Sequence, residues 1–277
     1  MKQTVVSLAL LFILYNGAPA TPLLYRTGTT LKPLQVNAWV NFYYGKTVKG
    51  FSWADSQYYP LPESLRTSVL GAEVMAAAGL PFKTELGLVA PVSSRKKGDN
   101  SAAGLGDVMV TLRHGLLQSG LMPVKLAWGL ATNLPTAQEG ANPSLGDRTF
   151  DVALGLWANT MKLGMVVGHL RAGYWFNGKT SDGVKVGNML EYLVNLDLAL
   201  PGMFTPQLAF SGYSQSPDQH GGSAHQRWYN AATVLLLCRP VPMLVLRPKA
   251  TFPLASMSRG GALADYILGL DVWATVP

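Results

Sequence analysis

Cysteine is almost missing from this 277-residue sequence: Cys238 stands alone, so no intrachain disulfide can brace the fold. It also lies far from the N-terminal segment, which excludes a lipid-anchored N-terminal cysteine. A small buried or lipid-facing apolar residue is what such a cysteine ordinarily is. Charge is scarce too. Asp, Glu, Lys and Arg make up 13% of residues and mean hydropathy is +0.18, whereas soluble domains carry roughly a quarter charged residues. Long apolar runs are lacking as well. Beyond an N-terminal stretch, none approaches the roughly 18 consecutive apolar residues of a membrane-spanning helix, which argues against a helical membrane protein. The formal charge of +7 is dispersed along the chain, which argues against nucleic acid as a partner and suggests anionic headgroups or anionic solutes instead.

What is present begins with Met1-Lys2, an apolar run from Val5 to Leu14, and Ala18-Pro19-Ala20. A short charged start, a short apolar core and a small-residue end describe a secretory signal peptide over residues 1–20. The mature chain is expected to start near Thr21, and residues 21–277 read as one domain without a linker.

From Leu34 onward, Leu34, Val36, Ala38, Val40 and Phe42 alternate with Gln35, Asn37, Trp39, Asn41 and Tyr43. This period of two is that of a strand with unlike faces. The pattern returns near residues 65–78, 82–92, 105–117, 122–132, 149–159, 162–176, 186–199, 203–214, 226–238, 242–252 and 263–275, twelve runs in all. Many are long enough to cross a bilayer at a tilt, for which about 9 to 11 residues are needed. Short links alternate with longer ones at Gly45–Ser64, Ser93–Gly104, Asn133–Thr149, Asn177–Lys185, Gln215–His225 and Pro253–Ala262. Charges keep to one parity: Glu73 opposes Leu70, Ala72 and Val74; Lys83 and Glu85 oppose Leu86 and Leu88; Glu191 and Asp197 oppose Leu190 and Leu196. A charge on the lipid face is costly, so this segregation is the expected signature of a membrane barrel. The fold predicted is all-β: a transmembrane antiparallel up-and-down β-barrel of about 12 strands in the bacterial outer membrane. A soluble sheet protein would share the alternation but not the strand length, the low charge or the hairpin rhythm.

One stretch carries more than periodicity. Gly79-Leu80-Pro81-Phe82-Lys83-Thr84-Glu85-Leu86-Gly87-Leu88-Val89-Ala90-Pro91 is followed by Gly104-Leu105-Gly106-Asp107-Val108, then Leu134-Pro135-Thr136, and Leu145-Gly146-Asp147 before Asp151-Val152. Residues 79–155 resemble the outer-membrane family of MetA-pathway phenol degradation transporters. Two departures are Ala137, where the family has Gly, and the Val276-Pro277 end in place of an aromatic residue. The resemblance implies passage of small hydrophobic or aromatic compounds through the outer membrane. Passive movement without a cofactor is the expectation, and no enzymatic activity, since His114 falls on the lipid parity, His169 points inward, and neither sits in a serine-histidine arrangement. Outer-membrane lipid, lipopolysaccharide and the barrel-assembly machinery are the expected partners. The rival reading is a plugged structural or adhesive barrel whose long outer loops, Gly45–Ser64 above all, bind a surface partner.

Inward parity puts Trp39, Trp157, Arg171, Tyr213 and Arg227 in the lumen as candidate solute-path residues, since aromatic faces and guanidinium groups can stack on an aromatic solute. The competing reading is that they fill the interior. Lumen acids and bases are mixed, and either pair with one another or line a wet channel. Gly104-x-Gly106-Asp107 reads as a turn, because no helix follows to supply phosphate-binding amides. Arg95-Lys96-Lys97 in an outer loop is a solvated run that can meet lipopolysaccharide phosphates. Of the four histidines only His220 and His225 lie near one another, with Asp218, which is a weak case for a metal.

Overall fold

The computed structural model describes residues 27–118, 123–160, 163–180, 183–219, 223–241 and 244–276. The signal segment and Thr21 lie outside the described residues. The strands are β1 (Val36–Ser52), β2 (Gln57–Pro60), β3 (Thr67–Leu80), β4 (Thr84–Lys97), β5 (Asn100–Leu105), β6 (Val108–Leu117), β7 (Val124–Leu134), β8 (Asp151–Thr160), β9 (Val166–Phe176), β10 (Met189–Leu198), β11 (Phe204–Gln215), β12 (Arg227–Val241), β13 (Leu244–Pro253) and β14 (Ala262–Val276). Twelve of them form a closed antiparallel ring. Each pairs with its neighbour in the chain, and β14 returns to β1 in register from Val36↔Val276 to Gly50↔Ala262. No edge is left inside the ring, which is what a sheet in hydrocarbon requires.

The two remaining strands are short additions. β2 folds back on β1 from Lys49↔Pro60 to Ser52↔Gln57. β5 pairs with the end of β4, and β6 carries on along β4 after Gly106-Asp107. The register steps there by one residue, from Val92↔Leu105 to Val89↔Met109, as in a bulge.

The strand ends that flank the short links (β3–β4, β6–β7, β8–β9, β10–β11 and β12–β13) gather at one end of the barrel, and those that flank the longer connections at the other. Two of the longer ones differ from expectation. β1 runs on to Ser52 and then turns into β2, so Gly45–Ser64 is largely a strand hairpin, and Ser93–Gly104 is the hairpin of β4 and β5. Backbone pairing persists in water, but both faces are then wet and the apolar alternation that marks a strand fades. Lys83 also differs. It shares the inward parity of Glu85, which predicts a lumen position, but it sits exposed in the turn, where Phe82 (φ 59°) and Lys83 (φ 58°) are both left-handed. Two such residues are what a tight hairpin turn demands, and the strand begins only at Thr84. Lys125 is half-buried near the short-turn end.

The outer face is apolar and exposed, with Leu70, Val74, Leu88, Leu112, Leu130, Leu156, Leu196 and Val234 among its residues. The opposite parity is buried, including Glu73, Glu85, Arg113, Asp151, Arg171, Glu191, Arg247, Lys249 and Asp271. An apolar wall around a polar interior on a closed barrel places the protein in the outer membrane. Leu156, in the middle of β8, faces the lipid, so Leu156→Arg should lower stability in vesicles by about 2 to 4 kcal/mol. Urea unfolding in phospholipid vesicles, followed by heat-modifiable gel migration, reads that loss.

Candidate functional site in the barrel lumen

The lumen has three layers. The middle one is apolar: Trp39, Met75, Val89, Met109, Ala131, Ala153, Trp157, Trp175 and Met189 form one buried cluster, with Tyr213 and Trp273 packed against it. Strand register builds it. Trp39 lies opposite Met75, Met75 opposite Val89, and Val89 opposite Met109. On the next strands Ala131 faces Ala153, Ala153 faces Trp175, and Trp175 faces Met189. A belt of apolar side chains therefore follows the inner wall. Trp157 is fully buried, and the Arg113 guanidinium stands 4.7 Å from the centre of its ring.

Around this belt the charges are paired. Arg113 Nη1 donates to Glu85 Oε1 at 2.8 Å, and both side chains are buried. Arg247 and Lys249 both donate to Asp271, at 2.7 and 2.8 Å. Asn41 Nδ2 donates to Glu73 at 2.8 Å, and His169 Nε2 lies 3.0 Å from Asp197. Of the two interiors the sequence allowed, mutual pairing prevails at these positions.

At the long-loop end the separated motif elements converge. Asp107 accepts the backbone N–H of Ala137 at 3.0 Å and of Arg148 at 2.9 Å. Thr136 Oγ1 donates to Gly106 O and accepts from Val108 N–H, both at 2.9 Å. These bonds fold the loop 135–150 inward, burying Ala137 and Leu145, while Arg95 donates to Ser144 O at 2.7 Å. Arg95 is thus turned inward and leaves Lys96 exposed in the basic run. Gly146 is needed because a Cβ there would strike the Asp107 carboxylate and the Ala137 methyl group. The Gly104-x-Gly106-Asp107 element is accordingly a structural turn whose carboxylate holds the inward loop.

The buried Asp147 carboxyl in that loop is pushed up to about 8, first by burial and then by the charges of Asp151 and Asp107. Nearby, Tyr213 and Tyr229 stack with ring centres 5.5 Å apart, and Tyr58 of β2 packs on them and donates to Gly260 O at 2.8 Å. Arg227 Nη2 donates to Asp218 at 2.8 Å. Asp218 also takes the N–H groups of Gly187 and Ser223, which commits it to the loop. Among the described residues no cluster of His, Cys, Asp or Glu is placed to hold a metal; His220 lies outside them.

At the short-turn end the segment ahead of β1 lies inside the mouth. Leu31 N–H donates to Glu85 Oε2 at 3.0 Å, Arg113 donates to Thr27 O, and Gln118 Nε2 donates to Gly28 O at 2.7 Å. Gly28 sits so close to the wall that a Cβ would come within 2.5 Å of Lys125 O. Across from it, β1 and β9 to β14 border a cavity of about 400 Å³ that contains Trp39, Arg171, Arg247 and Trp273.

The five candidate residues thus divide into two groups. Trp39 and Arg171 line the short-turn cavity, with Trp157 opposite Arg171 on the neighbouring strand. Tyr213 and Arg227 belong to the long-loop cluster. The three belt methionines, the cavity residue Trp273 and segment 27–32 were not singled out from sequence. Parity alone could have found the first two.

No family profile and no curated protein matches the sequence. Solved structures do. The COG4313 outer membrane channel from Pseudomonas putida F1 superposes with a TM-score of 0.79 at 11% identity, covering 90% of this chain and 97% of that one. The fold is that of an outer-membrane β-barrel. The NanC porin (TM-score 0.51, 9% identity, 86% and 98% covered) and the beta domain of the Bordetella autotransporter BrkA (0.52, 10%, 88% and 100%) resemble it more loosely.

Two outcomes follow for the lumen. Removing one partner of the buried Arg113–Glu85 pair strands a charge, so Arg113→Met should cost about 3 to 5 kcal/mol, and Glu85→Leu added to it should recover most of the loss. Vesicle unfolding of the single and double variants measures both. Asp147, with its folded value raised above the ordinary carboxyl value of 3.8, stabilises the closed loop fully below that value, and the stabilisation is lost as pH rises to about 8. Hydrogen exchange over residues 135–150, corrected for intrinsic rates, should accelerate across that window in the native chain and not in Asp147→Asn.

Proposed function

We propose that this protein is a passive outer-membrane channel for small hydrophobic or aromatic compounds, acting without cofactor or catalysis, of the MetA-pathway phenol transporter type. The apolar belt carries the reading. A barrel that served only water and ions would gain nothing from three tryptophans and three methionines in one buried interior cluster. For an aromatic solute, tryptophan faces offer stacking and methionine offers a polarizable, adaptable wall. The likeness to an outer-membrane channel supports the same reading. Outer-membrane lipid meets the apolar wall, the exposed Lys96 suits lipopolysaccharide phosphate, and β14 is the strand offered to the assembly machinery. The adhesive alternative is less well served, because Tyr58 ties the β1–β2 hairpin down to Gly260.

Purified protein in planar bilayers should give small, discrete conductance steps, and vesicles containing it should take up phenol faster than empty ones. Gly28→Val forces the N-terminal segment off Lys125 and Asn159 and should raise conductance several-fold. A chain that gives no conductance, and whose deletion leaves phenol uptake by cells unchanged, contradicts the channel reading.

A further inference from the structure

On the outside of the barrel, one sector of the long-loop end differs from the rest of the rim. Around β8, β9, β12 and β13 that end carries exposed aromatic residues, Phe150, Phe176, Trp228 and Phe252. On β1, β3 and β4 the register stacks three outward rows instead. The first is Phe42, Ala72 and Val92, and the second is Tyr44, Leu70 and Ser94. The third is Lys46, Ser68 and Lys96, with Ser101 of β5 opposite Lys96. Neighbouring strands lie about 4.8 Å apart, so the two lysines flank a short serine across about 10 Å, a gap that their side chains can close onto one anion. Both lysines are exposed, and among the described residues neither is in an ion pair. The acids near them in chain or register, Glu63, Asp99 and Asp265, are themselves exposed and are not ion-paired with them.

We propose that Lys46 and Lys96, with Ser68 between them, form a binding site for a phosphate group of lipid A, the membrane anchor of lipopolysaccharide. The depth of the site supports this occupant. In such barrels the longer connections face outward, so the three rows run from hydrocarbon at Phe42 and Val92, through Tyr44 at the interface, to cations at the level of the outer headgroups. Ammonium groups meet phosphate through charge-assisted hydrogen bonds, and the serine hydroxyl can donate to the same oxygens. Directly below, exposed Leu70, Val92 and Phe42 offer an apolar wall to the acyl chains of the same molecule. A free phosphate would gain the ammonium contacts but not that wall, and a neutral lipid would gain the wall but not the contacts. The proposal deepens the lipopolysaccharide contact given above for Lys96 and rests on the outer-membrane placement. Conduction is not required for it, because both lysines share the outward parity of Tyr44 and Ser94.

Native mass spectrometry of the full chain in detergent, titrated with diphosphoryl lipid A, dephosphorylated lipid A and phosphatidylglycerol, tests this. Diphosphoryl lipid A should bind about tenfold or more tightly than either of the others. Lys46→Gln and Lys96→Gln should each weaken it about fivefold, and about 25-fold together, whereas Lys46→Arg should retain it. Lys83→Gln, exposed at the opposite end, should change nothing. These positions are exposed, so the variants should keep the heat-modifiable migration of the native chain. Dephosphorylated lipid A or phosphatidylglycerol binding equally well overturns the site, as does an unaffected double variant. Displacement of the lipid by millimolar inorganic phosphate also overturns it, since the anion alone would then be the ligand. Bilayer recordings on the same preparation separate the two ideas. Conductance without lipid A selectivity overturns the site and leaves the channel, whereas selectivity without conductance supports the site and removes the channel.

Discussion

Backbone pairing between β1 and β14 is the constraint on which the rest depends. In hydrocarbon an unpaired N–H or C=O costs several kcal/mol, about what a domain can spare, so the sheet must close on itself. Pairing from Val36↔Val276 to Gly50↔Ala262 closes it. Once the ring is shut with twelve strands, side-chain direction is no longer free. Every second residue enters a narrow interior and its neighbours meet lipid. The inward parity must then be satisfied within that space, and the observed interior reflects that demand.

Two devices meet it. Charges are set against one another across neighbouring strands, as Arg113 with Glu85 and Arg247 with Asp271, because a lone buried charge would be more costly than either partner is worth. Between and above these pairs, Trp, Met and Ala line the inner wall as one belt. Chain segments that are not strands narrow the interior at each end: loop 135–150, held by Asp107, at one mouth, and residues 27–32, held by Glu85, Arg113 and Gln118, at the other. The short-turn cavity is the space these elements leave on the β9 to β14 side.

Much of the barrel was legible in the sequence, for a physical reason. Lipid penalises charge on one face only, so Glu73, Glu191, Asp197 and Asp271 mark the inward parity unmistakably, and the rhythm of turns follows from the hairpins. The signal weakens wherever that penalty ends. Beyond the membrane the later part of β1 and the hairpin of β4 and β5 pair as strands without a lipid face to pattern them. At Lys83 the turn's need for left-handed residues overrides parity. Inside, Met75, Met109 and Met189 sit on the polar parity, where a search guided by charge passes over them. The loop-fixing role of Asp107 and the inward course of residues 27–32 depend on contacts between distant parts of the chain, which periodicity does not encode.

The most direct test of the account is a disulfide across the seam. Val40 and Val272 are paired in register between β1 and β14, so Val40→Cys with Val272→Cys, in a Cys238→Ala background, should form an intramolecular disulfide in the membrane-folded chain. The oxidised protein should keep its heat-modifiable migration, and Val40→Cys with Leu268→Cys should not crosslink. Absence of the Val40–Val272 bond in folded protein, or a bond formed only between two chains, would contradict a barrel closed by β1 and β14.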